Sequence, residues 1–244
     1  MKYLKKFENH AAYAAAESGL ILPNVSLCVQ EGDVHYKPYV DPCQQHDYVE
    51  IGGLKWATKN VGACDVTDYG LYFQWGDTQG YAESEIGSGS EQKYFGWNSY
   101  KYSDNGTTAM TKYNATDGKT VLEPSDDAAT AAWGEPWRMP TSAEVKTLTS
   151  STNVSLTNDY KGSGVKGFIV TDKTDSSKEL FLPLCGYGKN GGVTYKGSMA
   201  NYWASEVGGP DGKRNARCYG GSSSFSPNTS TDRYFGLTIR PVAD

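Results

Sequence analysis

The sequence predicts an α+β domain of short antiparallel strands, two or three short helices and long loops, carrying a small N-terminal appendage. Three observations predict it. "YVEIGGLKWATKNVG" holds two short apolar runs that meet at Gly52-Gly53, a hairpin signal. "PTSAEVKTLTSS" opens with Thr141 and places Glu144 three residues on, the capping box of a helix start. Further strand-like runs recur between polar turns down to the C-terminus.

Size and composition set the limits. The 244 residues suffice for one large domain with a short appendage. Tyr (18) and Trp (6) are abundant and the net charge is −5, so the basic stripe of a nucleic-acid binder is missing. No run of about 18 apolar residues exists, so neither a transmembrane helix nor a membrane partner is expected. The basic start "MKYLKKFENH" leads into no apolar h-region, because Glu8, His10 and Glu17 interrupt it; synthesis in the cytoplasm without a signal peptide is the expectation. Five cysteines at irregular spacing do not read as a disulfide framework. There is no CxxC pair, and His10, His35 and His46 all lie near the N-terminus; no metal and no cofactor are expected.

In chain order, residues 7–18 carry an alanine-rich helical pattern that Gly19 is placed to end. "LILPNVSLCV" follows as a strand-like run, and the prolines of 37–47 mark a linker. Residues 1–47 are too few for a core of their own and read as an appendage and docking segment. The main domain then spans 48–244. Within it, "DYGLYFQWGDTQGY" alternates aromatic and small residues, and 80–120 reads as irregular surface loop. "EPSDDAATAAW" predicts a short helix with Ser125 as cap and Asp126 and Asp127 at its positive end. The capping box predicts a helix over 142–149. "GVKGFIVTDKTDSSKELFLPLCGYG" predicts two strands about a polar turn, "NYWASE" a short strand and "RYFGLTIRPV" the closing strand. Arg138 and Arg240 read as structural anchors.

The phrases "YVEIGGLKWATKNVGA", "DYGLYFQWGD", "WRMPTSAEV", "LFLPLCGYG", "YWASE" and "YFGLTIRPV", in this order, resemble the bacterial major-paralogous-domain proteins. That group has a C-type lectin-like fold and is related to formylglycine-generating-enzyme-like domains. Members of this fold serve as variable proteins of diversity-generating retroelements in phages and bacteria. The resemblance covers roughly residues 48–242. The N-terminal segment resembles leaders on proteins encoded by prophages of gut bacteria.

The resemblance implies a scaffold built on Trp56, Trp75, Trp137, Trp203 and Arg240, and a diversifiable ligand-binding surface over about 203–236. The positions that match are Arg214, Asn215, Arg217, Cys218, Tyr219, Gly220, Ser222, Ser224, Asn228, Ser230, Thr231, Asp232, Tyr234 and Phe235. Composition points the same way. Tyr219, Phe225, Tyr234 and Phe235 stand among Ser, Gly and Asn, and such mixtures pair rigid aromatic contact area with adaptable hydrogen bonding. The implied role is non-enzymatic receptor recognition in phage attachment, on the virion or cell surface. The partner would be a bacterial surface protein or glycan, with the appendage docking either on other virion proteins or on the main domain, and a homo-oligomer in view.

Two alternatives stay open. A structural decoration or fibre domain would use the same face for self-association. A formylglycine-generating-type oxidase would need Cys185 and Cys218 within disulfide range, Cα atoms under about 7 Å apart. Stacking of a sugar on Trp97 or Trp133 is a further possibility. Calcium-mediated sugar binding is not expected, because "SPN" at 226–228 and "GPD" at 209–211 are not followed by Trp-Asn-Asp, and Ser226 lacks an anionic oxygen.

Overall fold

The computed structural model describes residues 26–30, 33–37, 43–86, 94–209 and 214–244. The chain divides into two compact units, residues 1–45 and 46–244. In the first, β1 (Ser26–Gln30) and β2 (Asp33–Lys37) pair antiparallel, Ser26 opposite Lys37. The helix expected over 7–18 lies outside the described residues.

The second unit begins with β3 (Tyr48–Ile51) and β4 (Leu54–Ala57), the hairpin that Gly-Gly predicts. Gly52 and Gly53 have φ of 64° and 78°, the paired positive values that a two-residue turn needs to match strand twist. The short pair β5 (Tyr72–Phe73) and β6 (Gly80–Tyr81) leads to α1 (Glu83–Ile86) and a 3-10 turn at Trp97–Ser99. A second 3-10 turn at Pro124–Asp126 precedes α2 (Ala128–Trp133). Its cap is Asp127, which accepts from the amides of Ala129 and Thr130, and not Ser125. The reason is the 3-10 turn, which absorbs Ser125 and moves the helix start two residues on.

α3 (Ser142–Ser151) starts on the full capping box: Thr141 Oγ1 accepts from Glu144 N–H, and Glu144 Oε2 from Thr141 N–H. Glu144 also takes a two-pronged ion pair from Arg138, which reaches Asp244 as well. β7 (Thr152–Thr157), β8 (Gly167–Asp172) and β9 (Glu179–Pro183) form an antiparallel meander, of which the sequence reading lacks β7. β10 (Tyr187–Lys189) and β11 (Gly192–Thr194) make a small hairpin.

The last sheet has the order β12 (Ala200–Val207), β13 (Asn215–Gly221), β14 (Ser226–Asp232), all antiparallel. Side chains leave a strand alternately to its two faces. Tyr202, Ala204 and Tyr219 enter one core cluster; Trp203, Ala216 and Cys218 enter another. Both faces of β12 and β13 are therefore covered. β14 is the sheet's edge, and its residues are half-buried or exposed.

The expected closing strand is corrected. Residues 233–241 thread through the core by isolated bridges, Gly236 to Gly188, Leu237 to Phe73 and Thr238 to Tyr202, and only β15 (Val242–Ala243) joins a sheet, against β4. Arg240 is fully buried, donating from Nε to Asn60 Oδ1 and from Nη1 to the carbonyls of Ala57 and Thr58. Trp56, Trp75, Trp137 and Trp203 are buried with it. Trp75 donates to Ala204 O and Trp203 to Phe73 O, so the indole N–H groups are satisfied inside the core.

The loops of the described part of 80–120 gather on Asp126. It accepts from Lys101, Lys112 and the Tyr113 hydroxyl. Burial pushes its carboxyl up, but these bonds and one from Tyr102 outweigh that and hold it well below the usual carboxylate range. Among the described residues the cysteines make no framework of bridges, but Cys43 and Cys64 are each in a disulfide, which their spacing does not predict. An odd count forbids pairing all cysteines, not some of them. Among the described residues no helix is long and apolar enough to cross a membrane.

Candidate recognition face

The segment 214–235 is structured. β13 and β14 carry most of it, and the connecting residues 222–225 are held by Phe225. That ring packs edge-on against Phe168 (centroids 5.4 Å apart) and tilted against Tyr219 (6.1 Å). Gly220 and Gly221 have φ of 132° and 152°. A Cβ on Gly220 would lie 2.1 Å from Ala200 O, and one on Gly221 2.0 Å from Ser224 O. Only glycine fits such backbone approaches.

The fourteen expected site residues divide by burial. Exposed are Arg214, Ser222, Ser224 and Ser230. Half-buried are Asn215, Arg217, Asn228, Thr231, Asp232 and Phe235. The other four are corrections to the expected display surface, because Cys218, Tyr219, Gly220 and Tyr234 are buried. Cys218, Tyr219 and Gly220 lie on the central strand of a sheet covered on both faces. Tyr219 is 0% exposed and stacks on Tyr202 at 5.4 Å. Cys218 Sγ meets Thr229 Oγ1 at 3.0 Å. Tyr234 is enclosed by its ring neighbours Trp97 and Phe235.

At one end of the hairpin the structure assembles an aromatic run. Tyr195, 56% exposed, neighbours Tyr187 (5.7 Å), which stacks on Phe235 (5.2 Å, 15° between planes). Phe235 contacts Tyr234 at 4.8 Å, and Tyr234 contacts Trp97 at 4.8 Å. Arg214 lies over Trp97 at 5.9 Å and forks onto Asp232, Nε to Oδ1 at 2.7 Å and Nη2 to Oδ2 at 2.8 Å. Lys189 sits over Phe235 at 4.9 Å. Asp232 raises the Arg214 pKa further, so the guanidinium is always charged.

Tyr187, Tyr195 and Lys189 are members of this run that the sequence does not single out, neither in 203–236 nor, as with Trp97, elsewhere. They come from the β10–β11 hairpin and the turn after it, and the signal was the tyrosine pair flanking "GKNGGVT". Trp97 joins the run, whereas Trp133 is stacked face-on against His46 at 4.0 Å, which leaves one ring face engaged.

Beneath the run, Arg233 fixes the backbone. It is 0% exposed, lies 4.8 Å from the Trp75 ring, and donates to the carbonyls of Tyr113, Lys112 and Asn215. Burial lowers its pKa.

The two thiols face different cores. Cys185 belongs to the cluster of Tyr202 and Tyr219, and Cys218 to that of Trp203. Both are free and buried, and burial pushes Cys218 up to about 11 and raises Cys185 as well. A nucleophilic or redox cysteine needs accessible thiolate, which neither supplies near neutral pH. Compared with protein families, with curated proteins and with solved structures, the chain matches none.

Proposed function

We propose that the chain is a non-enzymatic recognition protein in which a C-type lectin-like scaffold presents a binding face to a partner on a bacterial surface, as in phage attachment. The observation that carries this reading is the continuous run from Tyr195 through Phe235 and Trp97 to the Arg214–Asp232 pair. Aromatic and arginine side chains dominate binding energy at protein interfaces. Here they stand on backbone pinned by a sheet and by buried Arg233, so little ordering cost attends binding. The exposed hydroxyls of Ser230 on β14 and of Ser222 and Ser224 in the turn before it add hydrogen-bonding groups. The buried, protonated thiols support a role without catalysis.

The test is adsorption of the labelled full chain to a panel of bacterial cells, against the variant Arg214→Ala/Tyr195→Ala/Phe235→Ala. The expected result is at least about a tenfold loss of binding with an unchanged oligomeric state by light scattering. Undiminished adsorption overturns the reading. An altered oligomeric state replaces it with self-association through the same face.

A further inference from the structure

Away from the aromatic run, one groove gathers polar atoms that the fold leaves unsatisfied. It encloses about 510 Å³ between the first turn of α3, the end of β12 and the bodies of β13 and β14. Ser142, Lys146, Glu206, Arg217 and Asn228 stand in its walls, with Val121 and Val207 beside them. Ser142 is 9% exposed, and its Oγ has no hydrogen-bond partner. Asn228 Oδ1 is buried and unpartnered too. Natural proteins leave few buried polar atoms unpaired, and a bound ligand is one way to satisfy them.

Charge sharpens the choice of ligand. Lys146 and Arg217 line the groove, and neither makes an ion pair among the described residues. Glu206 lines the groove too; its Oε2 accepts from Ser142 N–H at 2.6 Å, and its single negative charge stands against the two cations. The groove therefore holds one positive charge in excess and an amide oxygen in need of a donor. It adds one hydroxyl that can act either way and an apolar wall.

We propose that this groove binds a small hydroxylated carboxylate, a sugar acid. The ligand carboxylate meets Arg217 and Lys146, its hydroxyls donate to Asn228 Oδ1 and share a hydrogen bond with Ser142 Oγ, and its carbon face rests on Val121 and Val207. This goes beyond the recognition role and stands without it. Arg217 and Asn228, expected on a display surface, become walls of a concave site.

The test titrates D-glucuronate, D-glucose and acetate into the full chain by calorimetry. Glucuronate should bind saturably and at least about tenfold tighter than either control, since one charge-assisted hydrogen bond accounts for about that factor. Arg217→Gln should weaken it about tenfold, and Ser142→Ala a few-fold, by the same reasoning. Lys146→Gln, at an exposed helix position, repeats the charge test should Ser142→Ala melt early. Glucose binding as tightly as glucuronate overturns the carboxylate contact, and acetate doing so reduces the site to a bare anion site. Absence of glucuronate binding, or indifference to Arg217→Gln, also overturns the proposal. The Arg214→Ala/Tyr195→Ala/Phe235→Ala variant should bind glucuronate normally, so failure of the recognition reading leaves this result intact.

Discussion

β13 and β14 are neighbours in one sheet and come from one stretch of small and polar residues, yet they serve opposite ends. β13, "NARCYGG", sends Ala216 and Cys218 into one core and Tyr219 into the other. β14, "SPNTSTD", has a partner on one side only and contributes no buried residue. Composition alone does not separate them. What separates them is position, because a central strand has two covered faces and an edge strand does not. A polar-looking segment can thus carry structural and recognition duties on adjacent strands, and mutation should tell the two apart.

The largest contrast is expected at Tyr219. Tyr219→Ala removes a fully buried ring stacked on Tyr202, and large-to-small core changes of this kind cost about 3–5 kcal/mol. Urea unfolding should show a fall in midpoint with little change in slope. A cost under about 1 kcal/mol would place β13 outside the core. Gly220→Ala comes next, at roughly 2 kcal/mol or more, from overpacking against a backbone that cannot yield. The added methyl would meet the carbonyl of Ala200 first, with the Ala200 Cβ 3.2 Å away. Thermal melting reads this directly.

Cys218 gives a smaller, pH-dependent signal. Burial holds its folded pKa at about 11, above the roughly 8.5 of an exposed thiol. The neutral thiol is favoured in the fold, so this contribution is complete below the unfolded value and is lost as pH rises through the folded one. Melting temperature should fall more steeply between those limits in the parent than in Cys218→Ala. In the native protein at neutral pH, alkylation followed by mass spectrometry should leave Cys218 and Cys185 unmodified. Ser230→Ala on the edge strand should be the mildest change, within about 0.5 kcal/mol. A larger effect there would mean that β14 is covered.

Where the sequence carried local chemistry, the fold was legible. Gly52-Gly53 marked the first hairpin, and Thr141 with Glu144 marked the start of α3. Trp56, Trp75, Trp203 and Arg240 read correctly as framework. Tertiary position decides the rest. β7, "TNVSLT", is mostly polar, and only its pairing with β8 makes it a strand. "RYFGLTIRPV" has the apolar content of a strand, but its two arginines are spent on core carbonyls and it bridges several partners in turn. The candidate face was half legible. Phe235 stood out by composition and Arg214 and Asp232 by the resemblance, while Tyr187 and Tyr195 arrive from a hairpin distant in sequence, a proximity that no local pattern encodes.

The distribution of indoles supplies a built-in optical reporter. Trp56, Trp75 and Trp203 are at most 1% exposed and Trp137 is 9% exposed, so a dissolved quencher such as iodide has little access to them. Trp97 is half-open, with the Arg214 guanidinium over its ring. Its emission is therefore the fraction that should shift when a partner displaces that arginine, against a steady background from the sealed rings. Trp133, half-open and stacked on His46 rather than on any ring of the run, is the internal control.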